Sequence, residues 1–258
     1  MFTKFRRYLL FFFRSTNQHG IHSPFIYDFV TKCLYSKKKF SEWSSFLANR
    51  QQLLSNNQQI EVQDFGAGST IFKTNLRKVS DIAKIAGISK KKGKLLVKIV
   101  SYFSSKDMLE IGTSVGISTV ALSLGNNEGS ITTLEGCPNT ASIAKSQFNQ
   151  LRLKNIKLIV APFDISLKKV TTNKTLDLIY FDGNHTKEAT LRYFETCLKT
   201  VHNKSVFIFD DINWSKEMRA SWEEIKQHDD VTVTVDTFFW GIAFFRKEQA
   251  KEHFIVRV

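Results

Sequence analysis

A short apolar stretch that runs into a glycine-containing turn constrains this chain most. The pattern predicts a buried strand at residues 108–111, a tight turn at 112–116 and a helix at 117–124. Such a turn brings backbone N–H groups at a helix N-terminus close to a bound ligand. The spacing G-x-x-x-G differs from the dinucleotide-binding fingerprint G-x-G-x-x-G. The stretch therefore predicts a ligand-binding turn, but not a typical dinucleotide loop.

Strands and helices alternate from residue 107 onward, which predicts a parallel sheet. The predicted strands are 107–111, 130–135, 157–160, 176–181 and 205–210, and the predicted helices are 117–124, 139–150, 187–200 and 216–227. Two further strands, 231–235 and 241–246, have too few residues between them for a crossover helix and must pair antiparallel. Residues 254–258 could add an edge strand. We expect an α/β fold with a mostly parallel sheet and an antiparallel C-terminal strand pair.

The N-terminal part has no place in this sheet. We expect residues 1–78 to form a helical appendage that covers the site or makes a dimer contact, and residues 79–258 to form the main domain. The apolar run 8–13 is flanked by basic residues, and it could pack on the main domain, on a second subunit or at a membrane surface. His19 and His22 lack acidic partners nearby, which favours a structural role over metal binding. The glycine loop at 64–69 is favoured as a structural turn or a lid element, because no strand ending in an acid follows at the right distance.

Charge and cysteine content limit the partners and the compartment. The net charge of +13 indicates an anionic partner, such as nucleic acid, a membrane surface or an acidic substrate, or only a basic, soluble surface. The three cysteines show no metal or redox spacing, which favours a reducing cytosol. No stretch reaches the roughly 18 apolar residues of a membrane span.

Acidic residues stand at the predicted strand ends. Glu135 ends the second strand, where a carboxylate can accept both ribose hydroxyls of an adenosine cofactor. Phe163 could stack on the adenine or belong to the core, and Asp164 could accept the adenine amino group. These residues predict a nucleoside-binding edge.

Three aspartates follow the fourth and fifth strands. Because parallel strands deliver their carboxyl ends to one edge, we expect Asp182, Asp210 and Asp211 to converge. Three carboxylates this close need protons or a cation, and hard oxygen ligands suit Mg²⁺, Mn²⁺ or Ca²⁺. The alternative is that Asp210 or Asp211 caps the following segment.

The motif E-x-G-x-x-x-G, beginning at Glu110, resembles the first motif of the Rossmann-like S-adenosylmethionine-dependent methyltransferases. From about residue 79 to 246, the chain resembles their cation-dependent O-methyltransferases, the catechol and caffeoyl-CoA group. The resemblance implies that S-adenosylmethionine is held by Glu110, Gly112, Thr113, Ser114, Gly116, Ser118, Glu135, Phe163, Asp164 and Asp182. It also implies a metal site at Asp182, Asp210 and Asp211, although Asp211 stands where that group has Asn.

His185 lies three residues after Asp182, close to where that group carries its catalytic base, which implies removal of a hydroxyl proton by His185. The implied reaction is methyl transfer to a small hydroxyl acceptor. The alternatives are a tRNA-modifying methyltransferase acting on hydroxylated uridine, a non-catalytic RNA- or membrane-binding protein that keeps the fold, and a nicotinamide oxidoreductase. The glycine spacing and the antiparallel final strands weigh against the oxidoreductase.

Overall fold

The structure is a computed structural model that describes residues 2–63 and 74–258. The predicted glycine loop at 64–69 lies outside the described residues. The α-helices of the described part are α1 (Phe2–Arg14), α2 (Pro24–Asp28), α3 (Trp43–Leu54), α4 (Val79–Ile85), α5 (Lys90–Phe103), α6 (Ile117–Gly125), α7 (Pro138–Gln150), α8 (Phe163–Thr171), α9 (Lys187–Leu198) and α10 (Lys216–Gln227). A short 3₁₀ helix covers Gln18–Gly20, and a π-helix, Phe29–Leu34, continues α2.

The strands match the predicted alternation closely. They are β1 (Gln59–Glu61), β2 (Leu76–Lys78), β3 (Asp107–Ile111), β4 (Ser130–Glu135), β5 (Ile156–Val160), β6 (Leu178–Phe181), β7 (Val206–Asp210), β8 (Val233–Asp236), β9 (Trp240–Phe244) and β10 (Glu252–Ile255). The prediction missed α8, which is short and runs into a polar, lysine-rich segment. The fold class is confirmed as α/β with a mostly parallel sheet.

One compact unit consists of residues 37–170. Its strands β3, β4 and β5 lie side by side and run parallel, with β4 in the middle. The register places Glu110 beside Thr133 and Glu135 beside Val160. Helix α5 buries an apolar face and packs on α6. In this unit β1 and β2 also form a small antiparallel pair.

The other compact unit consists of residues 1–36 and 171–258. Here β6 runs parallel to β7, β7 and β8 each run antiparallel to β9, and β10 runs parallel to β8. The predicted antiparallel C-terminal pair is therefore confirmed, and the last strand lies at the edge. Helix α10 packs Trp222 against β9, where Gly241 leaves room for the indole: a Cβ on Gly241 would lie 2.6 Å from Cε3 of Trp222.

The first 36 residues are tied to the C-terminal end of the chain. The Thr16 backbone N–H donates to the Ile255 carbonyl oxygen (2.8 Å), and the Tyr35 hydroxyl donates to the Arg257 carbonyl oxygen (2.7 Å). In the same segment, Ser23 accepts the backbone N–H of Ile26 and caps α2, with Pro24 at its first position. Ser23 and Pro24 thus form the N-terminus of α2. No helix among the described residues is long and apolar enough to cross a membrane.

Candidate functional site

The turn between β3 and α6 needs backbone conformations that favour glycine. Gly112 and Gly116 have φ of 103° and 87°, and Ser114 also lies in the left-handed region at 48°. A Cβ on Gly116 would lie 2.8 Å from Cε1 of Phe148 on α7. The glycines therefore allow a tight turn that packs against the neighbouring helix.

The Glu135 carboxylate is held at the end of β4 by two backbone groups. Its Oε2 accepts the N–H of Ser114 (2.7 Å), and its Oε1 accepts the N–H of Cys137 (2.8 Å). Burial raises the pKa of Glu135, and hydrogen bonds from the backbone of Cys137, Ser114 and Gly136 and from the Thr140 side chain partly offset that rise. The turn thus orients the Glu135 carboxylate at the end of β4.

The Glu110 carboxylate lies fully buried under the same turn. Its Oε2 accepts the hydroxyls of Thr119 (2.5 Å) and Thr133 (2.6 Å), whereas its Oε1 is a buried atom without a hydrogen-bond partner. Burial raises the pKa of Glu110 to about 7, although its hydroxyl partners oppose the rise. The hydroxyl oxygens of Thr133 and Thr113 lie 2.6 Å apart, so the hydrogen-bond network extends from Glu110 into the turn.

Three further residues predicted to hold the cofactor lie at helix starts. Ser118 is buried in the first turn of α6. Phe163 and Asp164 begin α8, and two residues separate them from the end of β5; Phe163 is half-buried and Asp164 is exposed. A role for these two residues in holding adenine stays a prediction.

In the other unit, all three predicted aspartates lie close enough to Tyr180 to affect its pKa. Burial first, and then the negative charges of Asp182, Asp210 and Asp211, hold the pKa of Tyr180 well above its ordinary value. The hydroxyl therefore keeps its proton, and it donates to Oδ2 of Asp210 at 2.6 Å.

In the part of the chain that the structure describes, the three predicted aspartates show no recognisable metal site, and the cation requirement stays a prediction. No group of three or more His, Cys, Asp or Glu side chains there is arranged to hold a metal ion. Asp210 is buried, and its two oxygens already accept the Tyr180 hydroxyl and the backbone N–H of Asp211 (2.6 Å). Asp211 itself has φ of 53°.

His185 and Asp182 form a loose pair after β6. His185 Nε2 lies 3.6 Å from Asp182 Oδ1, too far for a hydrogen bond. The two side chains keep partial exposure, 25% and 13%. The Trp214 ring lies 5.9 Å from the His185 ring, and Trp214 is 39% exposed. The imidazole is thus accessible, lies near a negative charge and has an aromatic surface beside it.

Sequence reasoning missed three contributors to this geometry. Tyr180 stands two residues before Asp182 in an apolar strand, where a polar aromatic side chain could have been noticed. Trp214 follows the last strand aspartates, and Thr133 interrupts the apolar pattern of β4. Each of these three residues is a polar or amphipathic side chain in a strand or near a strand end, which could have drawn attention to it. The sequence does not show its partner, because that partner is distant along the chain.

Comparison with known proteins places part of the chain in a known family of domains. Residues 109–212 match the family described as methyltransferase domain. The chain is 25% identical over 135 residues to a catechol O-methyltransferase of Mycobacterium tuberculosis. That match covers 52% of this chain and 60% of the relative, so it spans less than two thirds of the relative's length.

Solved structures share the fold. An O-methyltransferase of Bacillus cereus in complex with S-adenosylhomocysteine superimposes with a TM-score of 0.55 at 21% identity, over 81% of this chain and 92% of the other. An O-methyltransferase from Streptomyces achromogenes involved in tomaymycin synthesis, in complex with S-adenosylmethionine, gives 0.56 at 16% identity, over 81% and 91%. The chain therefore has the Rossmann-like methyltransferase fold.

Proposed function

We propose that this protein is an S-adenosylmethionine-dependent O-methyltransferase. The match to a methyltransferase domain and the Rossmann-like methyltransferase fold are the starting point. The observation that carries the proposal is the Glu135 carboxylate, which is fixed by two backbone N–H groups beside the 112–116 turn. The names of the similar proteins support the oxygen acceptor. The reducing-cytosol assignment stays a prediction.

The residues of the turn fit an adenosine cofactor with an amino-acid tail. The Glu135 carboxylate suits the two ribose hydroxyls, and the buried Glu110 carboxylate supports the turn from below through Thr133 and Thr113. Phe163 and Asp164 would bind the adenine. When bound, S-adenosylmethionine supplies an electrophilic methyl group on a sulfonium sulfur.

His185 is the proposed general base. Its imidazole would take the proton of the acceptor hydroxyl as the oxygen attacks the methyl carbon, and the departing carbon–sulfur electron pair stays on sulfur. Asp182, 3.6 Å away, would stabilise the imidazolium that forms. The exposed face of Trp214 would pack against the acceptor. The main contribution of the protein is then to position the oxygen and hold its proton.

We assign no step to a divalent cation, because no group of three or more His, Cys, Asp or Glu side chains in the described part of the chain is arranged to hold one. A cation requirement stays a prediction and is tested directly. With catechol as the first acceptor, turnover that is lost in EDTA and returns with Mg²⁺ or Mn²⁺ would support it. Full turnover in EDTA would contradict it and leave His185 as the group that activates the acceptor.

The cofactor assignment is tested by calorimetric titration with S-adenosylhomocysteine and with NAD. We expect S-adenosylhomocysteine to bind and NAD to bind far more weakly. Glu135→Ala should lose about 1.5–3 kcal/mol of binding free energy, because hydrogen bonds to a charged group are lost. The control is Glu128→Ala, which removes an exposed carboxylate from the same unit. Equal affinities in the wild type and Glu135→Ala would refute the assignment.

The base is tested by His185→Ala. Turnover should fall while the affinity for S-adenosylhomocysteine stays unchanged, and the defect should shrink at high pH, where the acceptor deprotonates unaided. His202→Ala is a matched control, since it removes a different histidine that pairs with an aspartate, Asp177, at 3.0 Å. A His185→Ala defect of the same size at every pH would argue against proton removal by this residue.

A further inference from the structure

Helix α1 carries an apolar stripe that the rest of the described chain does not cover. The side chains at positions i, i+4, i+7 and i+8 share one face of a helix. On α1 these are Phe5, Leu9, Phe12 and Phe13, which are 61%, 40%, 43% and 81% exposed. A contiguous group of exposed large apolar side chains marks an interaction surface.

The stripe is exposed although α1 is firmly attached along its other edge. Tyr8 and Phe11 pack on the Phe238 ring, with ring centroids 5.0 Å and 5.4 Å apart. The Arg7 guanidinium donates to the Ser215 carbonyl oxygen at 3.1 Å. These contacts fix the rotation of the helix about its axis, so the body of the protein presents the stripe in a set direction.

Positive charge lies beside the stripe. Arg6 and Arg14 are exposed on α1, and the Arg257 guanidinium lies 4.7 Å from the Phe12 ring. The sequence has no acidic residue before Asp28. An apolar helical face of Phe and Leu bordered by arginines is the composition of helices that lie in a membrane interface.

We propose that α1 docks this protein on an anionic lipid surface. Phe5, Leu9 and Phe13 insert into the boundary between headgroups and acyl chains, and Arg6 and Arg14 face the lipid phosphates. The net charge of +13 attracts the whole molecule to such a surface.

Charge complementarity favours this occupant over a second copy of the chain. A symmetric contact through α1 would bring the arginines of two helices together, without an acidic residue in either helix to pair with them. Each copy would add its own net charge of +13. A stable protein interface also needs about 20–30 residues on each side, far more than the four residues of the stripe.

The test uses the full chain and phosphatidylcholine vesicles with and without phosphatidylglycerol. We expect sedimentation with the anionic vesicles, weak sedimentation with neutral ones, and a loss of binding at high salt. The variant Phe5→Ser/Leu9→Ser/Phe13→Ser should bind anionic vesicles at least about tenfold more weakly than the wild type. Each serine removes apolar area that the membrane would bury. Arg6→Ser/Arg14→Ser should bind anionic vesicles more weakly than the wild type and with a smaller dependence on salt, while binding to neutral vesicles stays unchanged. The matched control is Leu76→Ser/Ile85→Ser, which removes exposed apolar side chains elsewhere.

Two results would overturn the proposal. One is an absence of wild-type binding to anionic vesicles, or equal binding by the wild type and the triple stripe variant when circular dichroism shows both to be folded. The other is a wild-type dimer, measured by light scattering, that becomes monomeric in the stripe variant without a change in vesicle binding. That second outcome would assign the stripe to a subunit contact.

Discussion

Glu110 combines complete burial with an atom that has no partner. Thr119 and Thr133 both donate to one oxygen, and the other oxygen is left without a hydrogen bond. Leaving a charge in this position is costly, which is why burial raises the pKa of Glu110 to about 7. The residue beneath the turn thus changes charge near neutral pH.

This shift predicts a pH-dependent stability. Between the ordinary pKa of 4.5 and about 7, the folded state binds more protons at Glu110 than the unfolded state does, so the free energy of unfolding falls as pH rises through that window. The loss attributable to Glu110 is about 3 kcal/mol between pH 4.5 and pH 8. Glu110→Gln should remove this part of the pH dependence. The measurement is the free energy of unfolding, obtained by urea unfolding at pH 5 and at pH 8. Glu128→Gln, at an exposed carboxylate, is the control. If the unfolding free energy of both variants changes equally between pH 5 and pH 8, the titration belongs to another group.

At the scale of elements, the parallel register of β3 and β4 brings Glu110 beside Thr133 and ends β4 at Glu135. The turn that leaves β3 then donates from Ser114 to Glu135. The tight packing of α6 on α7 at Gly116 fixes this geometry.

Gly116→Ala should therefore destabilise the protein by about 2–4 kcal/mol, through a positive φ and a Cβ forced against Phe148. Ser114→Gly is the matched control, because it keeps the backbone N–H and a left-handed φ while removing a side chain. Its effect should stay below about 1 kcal/mol. Urea unfolding measures both. A loss in Gly116→Ala no larger than in Ser114→Gly would mean that α7 moves to accommodate the methyl group.

At the scale of the whole molecule, the N-terminal segment contributes to a core far from it in sequence. Phe29 is fully buried, and its ring centroid lies 5.5 Å from that of Phe244 in β9. Residues 1–36 form a compact unit with 171–258, whereas the sequence predicted an appendage of residues 1–78. That boundary stays a prediction, to be compared with the unfolding behaviour of the chain.

Phe29→Ala should cost about 3–5 kcal/mol of unfolding free energy, as expected for a phenylalanine removed from a packed core. Phe13→Ala is the control within the same segment. Since Phe13 is 81% exposed, its removal should change stability by less than about 0.5 kcal/mol. A small effect of Phe29→Ala in the urea midpoint would show that the first 36 residues detach easily and do not belong to this core.

The sequence by itself determined the local features and their order. Strand and helix periods, the glycine turn and the acid at Glu135 depend on neighbouring residues, so β3, β4 and the antiparallel pair β8–β9 could be predicted. The first motif could be recognised for the same reason, since its residues are contiguous.

Only the tertiary structure decided which distant groups meet. The donors to Asp210, the hydroxyl network of Glu110 and the contact between Thr16 and Ile255 join residues that are remote in sequence or lie on different strands. Their meeting depends on strand register and on how strand ends align, and no local pattern encodes either. The three aspartates illustrate the difference. Their positions at strand ends could be predicted from the sequence, but the hydrogen bond from Tyr180 to Asp210 could not. Buried polar groups find their hydrogen-bond partners across strands only in the folded chain.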